Sequence, residues 1–233
     1  MTAHHPPSKA LWAAELPRAA WGIVDLLRQR RALGAGPRGA GQPVMLLPGL
    51  FNSDRSNFIL RRHLIALDHD AHGWGLGRNL GTRTIGTNAE RLIERIADLA
   101  DRTGRPVALV GVSLGGMIAR LIAQRRPELV RQVITVASPY AGDGRATNVW
   151  RAFEWFTGEK LSDPAVVARS AELAAPLPVP ATAIWSRSDG LVNGLICHAA
   201  DEENCRAIEI RSSHLGVQLR PAVLRIVAEV LAT

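Results

Sequence analysis

The sequence predicts an α/β domain, a mostly parallel sheet flanked by helices. First, short runs such as Val44–Leu47 and Pro106–Gly111 are apolar throughout. A strand that reads this way is buried on both faces. Second, these runs alternate with amphipathic stretches of roughly 10–15 residues, the rhythm of a sheet covered by helices on both sides. Third, 233 residues with 47% hydrophobic content are enough to bury one core of ordinary domain size.

Residues 1–10 form a polar, proline-bearing tail without the charged start, apolar run and small-residue cleavage site of a secretory signal. The expected location is therefore the cytoplasm or, peripherally, a membrane surface. From Leu11 to Leu33, the residues Leu11, Trp12, Leu16, Ala20, Ile23, Val24 and Leu27 recur at helical spacing, and Pro17 predicts a kink. Such a helix either lies on lipid, with Trp12 and Trp21 among the headgroups, or packs its stripe across the domain. The second is expected, because amphipathic helices of globular proteins generally bury their apolar face. The run GAGPRGAG at 34–41 contains a formal dinucleotide fingerprint, Gly34-x-Gly36-x-x-Gly39. A pyrophosphate cradle needs a helix directly after the glycines; here a strand follows, so the run reads as a flexible linker. Residues 1–42 are thus expected to precede a domain spanning 43–233.

Within that domain, Val44–Pro48 reads as a strand ended by Pro-Gly, 56–67 as a helix and 70–77 as a short strand leading to a glycine-rich loop. A strong amphipathic helix is predicted from Thr87 to Asp101 behind a Thr87/Asn88 cap. Pro106–Gly111 is the next strand, followed by a helix over 115–126 stopped by Pro127 and a strand over 130–137. Strands return at 180–186 and 206–210, and a last helix starts at Pro221 and runs to about Leu231. The interval of about 140–178 breaks the rhythm: it has no strand signal, several aromatic residues and a helical stretch at 164–174. An insertion on the rim of an α/β sheet is where a cap over a binding site sits.

Charge and cysteine content limit the function classes. The net charge is +7 and almost all the cations are arginines, spread along the chain in pairs such as Arg61/Arg62 and Arg125/Arg126. Nucleic-acid readers concentrate basic residues in one dense patch, so no nucleic-acid partner is expected. Two cysteines are too few for a four-thiolate zinc site. His69-x-x-His72 reads as a surface pair, so no metal or other cofactor is expected. Cys197 and Cys205 leave two readings open. One is a disulfide closing a short loop, worth roughly 2–3 kcal/mol by chain entropy; the other is two thiols in a reducing compartment.

The chemistry-bearing motif is Gly111-Val112-Ser113-Leu114-Gly115, placed between a predicted strand and a predicted helix. In that context Ser113 sits on a sharp strand-to-helix turn that exposes its hydroxyl at the sheet edge. A serine nucleophile needs a base, and the base needs an orienting carboxylate. Asp189 lies just past the strand 180–186, and His214 just past the last strand. Of the seven histidines, His4 and His5 are in the tail; His63, His69 and His72 precede the serine; His198 is on a connection. His214 is the expected base, and Asp143, after the strand 130–137, is the rival to Asp189. An oxyanion formed at Ser113 would meet the backbone N–H of Leu114 and, from the turn after the first strand, that of Leu50.

With these residues in place the chain resembles the α/β-hydrolase superfamily, in particular bacterial lipase- and esterase-like members with a short cap. The resemblance spans roughly Pro43 to Leu231. It rests on LLPGLFNSD, GWGLGRNLG at 73–81, GVSLGG, the Ser138-Pro139 pair, SRSDGLV and SSHLGV, in the family's order. It implies a Ser113, Asp189, His214 triad with Leu50 and Leu114 as oxyanion donors, acting on a small-molecule acyl ester. It also implies an acyl pocket lined by Phe51, Trp150, Phe153, Trp155 and Phe156, unless the cap aromatics form a small core of their own. One departure is Pro48-Gly49 where many lipases have His-Gly, which removes a side chain that often braces the turn. The same residues serve acyltransferases and thioesterases, and a non-catalytic module bound to a membrane surface or a partner also remains open.

Overall fold

The structure, a computed structural model, describes residues 4–199 and 202–233. Among these, six strands, β1 (Pro43–Leu47), β2 (Asp70–Gly73), β3 (Val107–Val112), β4 (Val130–Val136), β5 (Ala181–Trp185) and β6 (Cys205–Glu209), form one sheet in the order β2-β1-β3-β4-β5-β6. Every neighbouring pair is parallel. The helices are α1 (Lys9–Ala13), α2 (Glu15–Leu33), α3 (Phe58–Ala66), α4 (Thr82–Ile85), α5 (Glu90–Thr103), α6 (Leu114–Arg125), α7 (Trp150–Thr157), α8 (Pro164–Ala174) and α9 (Pro221–Leu231).

Successive residues of a strand point to opposite faces, and the two cores follow that alternation. Met45 and Leu47 of β1 and Val107 and Leu109 of β3 join Leu92, Ile96 and Leu99 of α5 and Ile118, Leu121 and Ile122 of α6. Val44, Leu46, Ala108 and Val110 face the other way, onto Leu60 and Leu64 of α3 and Val223, Leu224 and Val227 of α9. β1 and β3 are buried at every position because both faces are covered. β6, at the edge, has no fully buried residue.

The expected α/β class and the order of its elements hold, while several local expectations do not. The strand expected over 70–77 ends at Gly73. There the Asp54 carboxylate accepts the backbone N–H groups of Trp74 (2.9 Å) and Gly75 (3.1 Å), turning the chain away from the sheet. The cap of α5 is Ala89 in a left-handed conformation, not Thr87 or Asn88; the Glu90 carboxylate instead accepts the Asn88 N–H at 3.0 Å. The 34–41 run is no free linker, because Gly39 N–H donates to Leu67 O at 2.7 Å and Gly41 N–H to Asp68 O at 3.0 Å. Gly39 also packs so closely on the His69 ring that a Cβ there would overlap it.

The N-terminal helix breaks at Ala14, not at Pro17. Pro17 falls in the first turn of α2, where a helix has no internal partner for the missing N–H. α2 packs on α9 and on the turn before it, but with the face opposite to the expected one. Glu15, Gly22 and Leu33 are buried, while Leu16, Ala20, Ile23, Val24 and Leu27 are exposed. The stripe that periodicity assigned to the core therefore faces out.

Candidate active site

The strand-to-helix junction after β3 fixes the first group. Ser113 caps α6 with φ 51° and ψ −121°, a region that L-residues rarely occupy and that strained functional turns use. Its N–H donates to Val136 O at 2.8 Å, tying the turn to the end of β4. Two close approaches explain the flanking glycines. A Cβ on Gly111 would overlap the Gly115 backbone, and one on Gly115 would overlap the Leu47 and Pro48 carbonyls. The elbow is thus pressed against the end of β1, and the loop after that strand lies beside the serine.

His214 and Asp189 reach this point from the loops after β6 and β5. His214 Nε2 lies 3.1 Å from Ser113 Oγ, and Nδ1 lies 2.7 Å from Asp189 Oδ2. The other Asp189 oxygen accepts the N–H groups of Leu191 and Val192, each at 2.8 Å, which fixes the carboxylate plane. Among the described residues Asp143, the rival acid, accepts only the Arg145 N–H, as a cap on a turn. Burial of the His214 ring disfavours its charged form, but the Asp189 carboxylate beside it, their hydrogen bond and the charge of Glu15 outweigh that, so its pKa is raised. A hydroxyl, an imidazole and a carboxylate in series can move a proton off the hydroxyl while the carboxylate stabilises the resulting imidazolium.

Three sets of contacts that the sequence did not suggest hold this relay. Glu15, buried at the start of α2, accepts N–H groups from Gly190 (2.8 Å), His214 (3.1 Å) and Leu215 (2.8 Å). One carboxylate therefore joins the loop of the acid to the loop of the base. Arg18 completes the joint, donating to Glu15 at 3.2 Å and to the Ser188 carbonyl. Ser186 Oγ donates to Ser212 O (3.0 Å) and accepts the Ser212 N–H (3.1 Å), a second link between the same loops. Asn79, fully buried, donates to Pro48 O (2.7 Å), its backbone carbonyl accepts the Phe51 N–H (2.7 Å), and its N–H donates to Asn52 O (2.8 Å). It braces the Pro48-Gly49 turn. For Ser186 and Asn79 the clue was a polar residue within a motif; Glu15 offered none, and the partners in each case are atoms distant in sequence.

Leu50 and Leu114 line one pocket with Ser113, and their backbone N–H groups donate to no protein acceptor among the described residues. The pocket is a cavity of about 120 Å³ between α6 and the 140–178 insertion. Ile118, Leu121, Val166 and Leu173 supply much of its apolar wall. Of the five residues expected to line it, Trp150 and Phe153 do. Phe51, Trp155 and Phe156 do not. Trp150, Phe153 and Thr157 share one face of α7 at helical spacing, which turns Trp155 outward, 80% exposed. Phe156 stacks on Phe51 with ring centroids 4.5 Å apart, and Arg78 covers the Phe51 ring. These rings pack on one another outside the cavity.

Beneath the pocket, Arg120 of α6 is fully buried and donates to Leu173 O (2.7 Å), Ala175 O (2.8 Å) and both oxygens of Glu202 (2.9 and 3.2 Å). Cys197 and Cys205 are both free thiols. Cys205 lies 3.6 Å from the Tyr140 hydroxyl, which also donates to Glu202.

The family model for the alpha/beta hydrolase family matches residues 44–228. No curated protein matches the chain significantly. Among solved structures, the mature form of a lipase from Bacillus licheniformis is similar with a TM-score of 0.62 at 14% identity, over 85% of this chain and 95% of that one. A monoacylglycerol lipase from Paleococcus ferrophilus gives 0.59 at 15% identity, over 84% and 96%. An N-formylmaleamic acid deformylase from Pseudomonas putida S16 gives 0.54 at 16% identity, over 82% and 93%. Likeness at such identities extends to the fold, and the three proteins carry different names for their substrates. Matched by the family model over most of its length, with lipases and an acid deformylase as structural neighbours, the chain belongs to the alpha/beta hydrolase family.

Proposed function

We propose that this protein is a serine hydrolase that cleaves carboxylic esters through an acyl-serine intermediate. The observation that carries the reading is the Ser113–His214–Asp189 relay, 3.1 and 2.7 Å between heavy atoms, opening on an apolar pocket beside two backbone N–H groups without protein acceptors among the described residues.

His214 Nε2 takes the Ser113 proton as Oγ attacks the ester carbonyl carbon. The carbonyl oxygen becomes an oxyanion, which the Leu50 and Leu114 N–H groups receive. The C–O bond to the alcohol breaks as His214 returns the proton to the leaving oxygen. Water, deprotonated by His214, then attacks the acyl-serine; the Oγ–acyl bond breaks, Ser113 regains its proton and the acid leaves. Asp189 holds the imidazole in the required tautomer throughout. The acyl chain lies along Trp150, Phe153 and the α6 side chains, where burial of its methylenes supplies binding energy.

The test is hydrolysis of a graded series of p-nitrophenyl esters. Ser113→Ala and His214→Ala are expected to lower kcat by roughly 10⁵–10⁶-fold, and Asp189→Asn by about 10⁴-fold. Asp143→Asn is expected to leave the rate unchanged. Rates that survive loss of Ser113, or folded wild-type protein with no turnover on any ester, would reject the proposal. Adding a primary alcohol and analysing products separates hydrolysis from acyl transfer.

A further inference from the structure

We propose that the outer face of α2 is a docking surface for an anionic lipid bilayer. On a helix advancing 100° per residue, Leu16, Ala20, Ile23, Val24 and Leu27 fall within one arc of roughly 100°, with Trp21 about 60° beyond its edge. Leu16, Trp21, Ile23 and Leu27 are 71%, 57%, 50% and 62% exposed. The opposite arc is the one turned to the protein, and it mixes polar and apolar residues: Glu15, Arg18, Asp25 and Gln29 with Gly22, Leu26 and Leu33, the two leucines packing on the core. The helix therefore carries a continuous apolar stripe in solvent, which burial against a partner would stabilise. Trp12 on the preceding helix α1 is 57% exposed as well. A contiguous patch of this kind on a folded chain marks an interaction surface.

Charge selects the occupant. Arg28, Arg30 and Arg31 are exposed around the C-terminal half of the stripe and belong to no ion pair among the described residues. The only carboxylates of α2 are committed elsewhere: Glu15 to the loops of Gly190 and His214, and Asp25 to Gln29 and Arg220. The outer face is therefore apolar and cationic, with no acidic group. A second copy docked on it would set arginines near arginines with nothing on either helix to neutralise them. An anionic bilayer supplies phosphates for the guanidinium groups, an interfacial zone for Trp12 and Trp21, and an acyl boundary for Leu16, Ile23 and Leu27. Glu15 pins this helix to the loops carrying Asp189 and His214, so the docked face is rigidly joined to the site.

Flotation of the full chain with phosphatidylcholine vesicles, with and without phosphatidylglycerol, tests the proposal. It reads binding without reference to ester turnover. Two triple variants are compared with wild type: Leu16→Gln/Ile23→Gln/Leu27→Gln, and Arg28→Gln/Arg30→Gln/Arg31→Gln. All six side chains are exposed, so folding is expected to be unaffected, and an unchanged Tm checks it. Wild type is expected to float with the phosphatidylglycerol vesicles, to bind pure phosphatidylcholine weakly, and to be released by salt. The arginine variant is expected to bind about a hundredfold more weakly, from about 1 kcal/mol per charge. The apolar variant is expected to lose binding altogether. Wild type that fails to float with anionic vesicles overturns the proposal. So does a concentration-dependent dimer, seen by sedimentation, that the apolar variant abolishes, because the face would then belong to a second copy.

Discussion

His214 joins chemistry and stability with opposite signs. Its folded-state pKa is raised above the ordinary 6.5: burial opposes the charged form, and the Asp189 charge, the Asp189 hydrogen bond and the Glu15 charge exceed it. A raised histidine pKa stabilises the fold fully below the unfolded value, and that contribution is lost as pH rises through the folded value. Proton abstraction needs the neutral ring, so kcat/KM is expected to grow over the same interval and level off on its alkaline side. Glu15→Gln keeps the side chain's shape but removes its charge and one acceptor. It is expected to move the kcat/KM inflection towards lower pH and to reduce the plateau rate, while the spacing of Ser113 and Asp189 persists. A pH–rate profile beside an NMR titration of the His214 ring checks both, and an unmoved ring titration would confine Glu15 to packing. Ser113, Asp189 and His214 were legible in the sequence because chain order and position after a strand narrow the choice among serines, acids and histidines. Glu15 was not, since it acts on backbone N–H groups 175 to 200 residues away, which no local pattern announces.

At the scale of elements, mostly apolar runs located five of the six strands, and period 3.6 most of the helices, to within about three residues, because burial on both faces or on one is what the two patterns encode. The N-terminal helix shows where the argument stops: its period is correct and its orientation reversed. Periodicity identifies a face but not what covers it, and here Glu15, Gly22, Leu26 and Leu33 turn inward while Leu16 and Leu27 turn out. Gly22 lets the Arg220 side chain approach α2 to within 3.0 Å of where its Cβ would be. Helix α6 carries an equally hidden constraint. Arg120, fully buried, ends on Glu202 and on the carbonyls of Leu173 and Ala175 at the end of α8, so the helix behind the serine, the cap and the β5–β6 connection share one polar joint. Tyr140 completes it: its ring stacks on the guanidinium 3.7 Å away, and burial pushes its hydroxyl pKa up, leaving it neutral as a donor to Glu202. Removing one partner of such a pair strands the other charge. Arg120→Met is therefore expected to destabilise the protein by about 3–5 kcal/mol. The double change Arg120→Met/Glu202→Gln is expected to recover a large part of that loss. Urea denaturation of the three proteins measures it, and a double variant no more stable than Arg120→Met alone would contradict the pairing.

For the whole molecule, the room beside Ser113 sets which acyl chains the proposed ester hydrolysis accepts. The cavity of about 120 Å³ is lined by Ile118 and Leu121 of α6 and by Val166 and Leu173 of α8, so α8 forms its wall on the cap side. An apolar cavity of about 150 Å³ holds a benzene-sized guest, which makes this one fit for a short acyl chain. Each methylene that enters contributes about 0.8 kcal/mol, or roughly fourfold in kcat/KM if the transition state retains it. Once the cavity is full, a further methylene either stays in water or forces α8 outward. The p-nitrophenyl ester profile is therefore expected to rise steeply over the shortest chains, peak near butyrate and fall well before dodecanoate. The wall can be moved from α6. Leu121→Ala opens the deep end, and at a stability cost of about 2–5 kcal/mol it is expected to shift the peak to longer chains and lower the rate on acetate least. A wild-type profile still climbing at dodecanoate would mean that the cap swings open in solution. The lining α6 side chains would then not limit chain length, and Leu121→Ala would leave the profile unchanged.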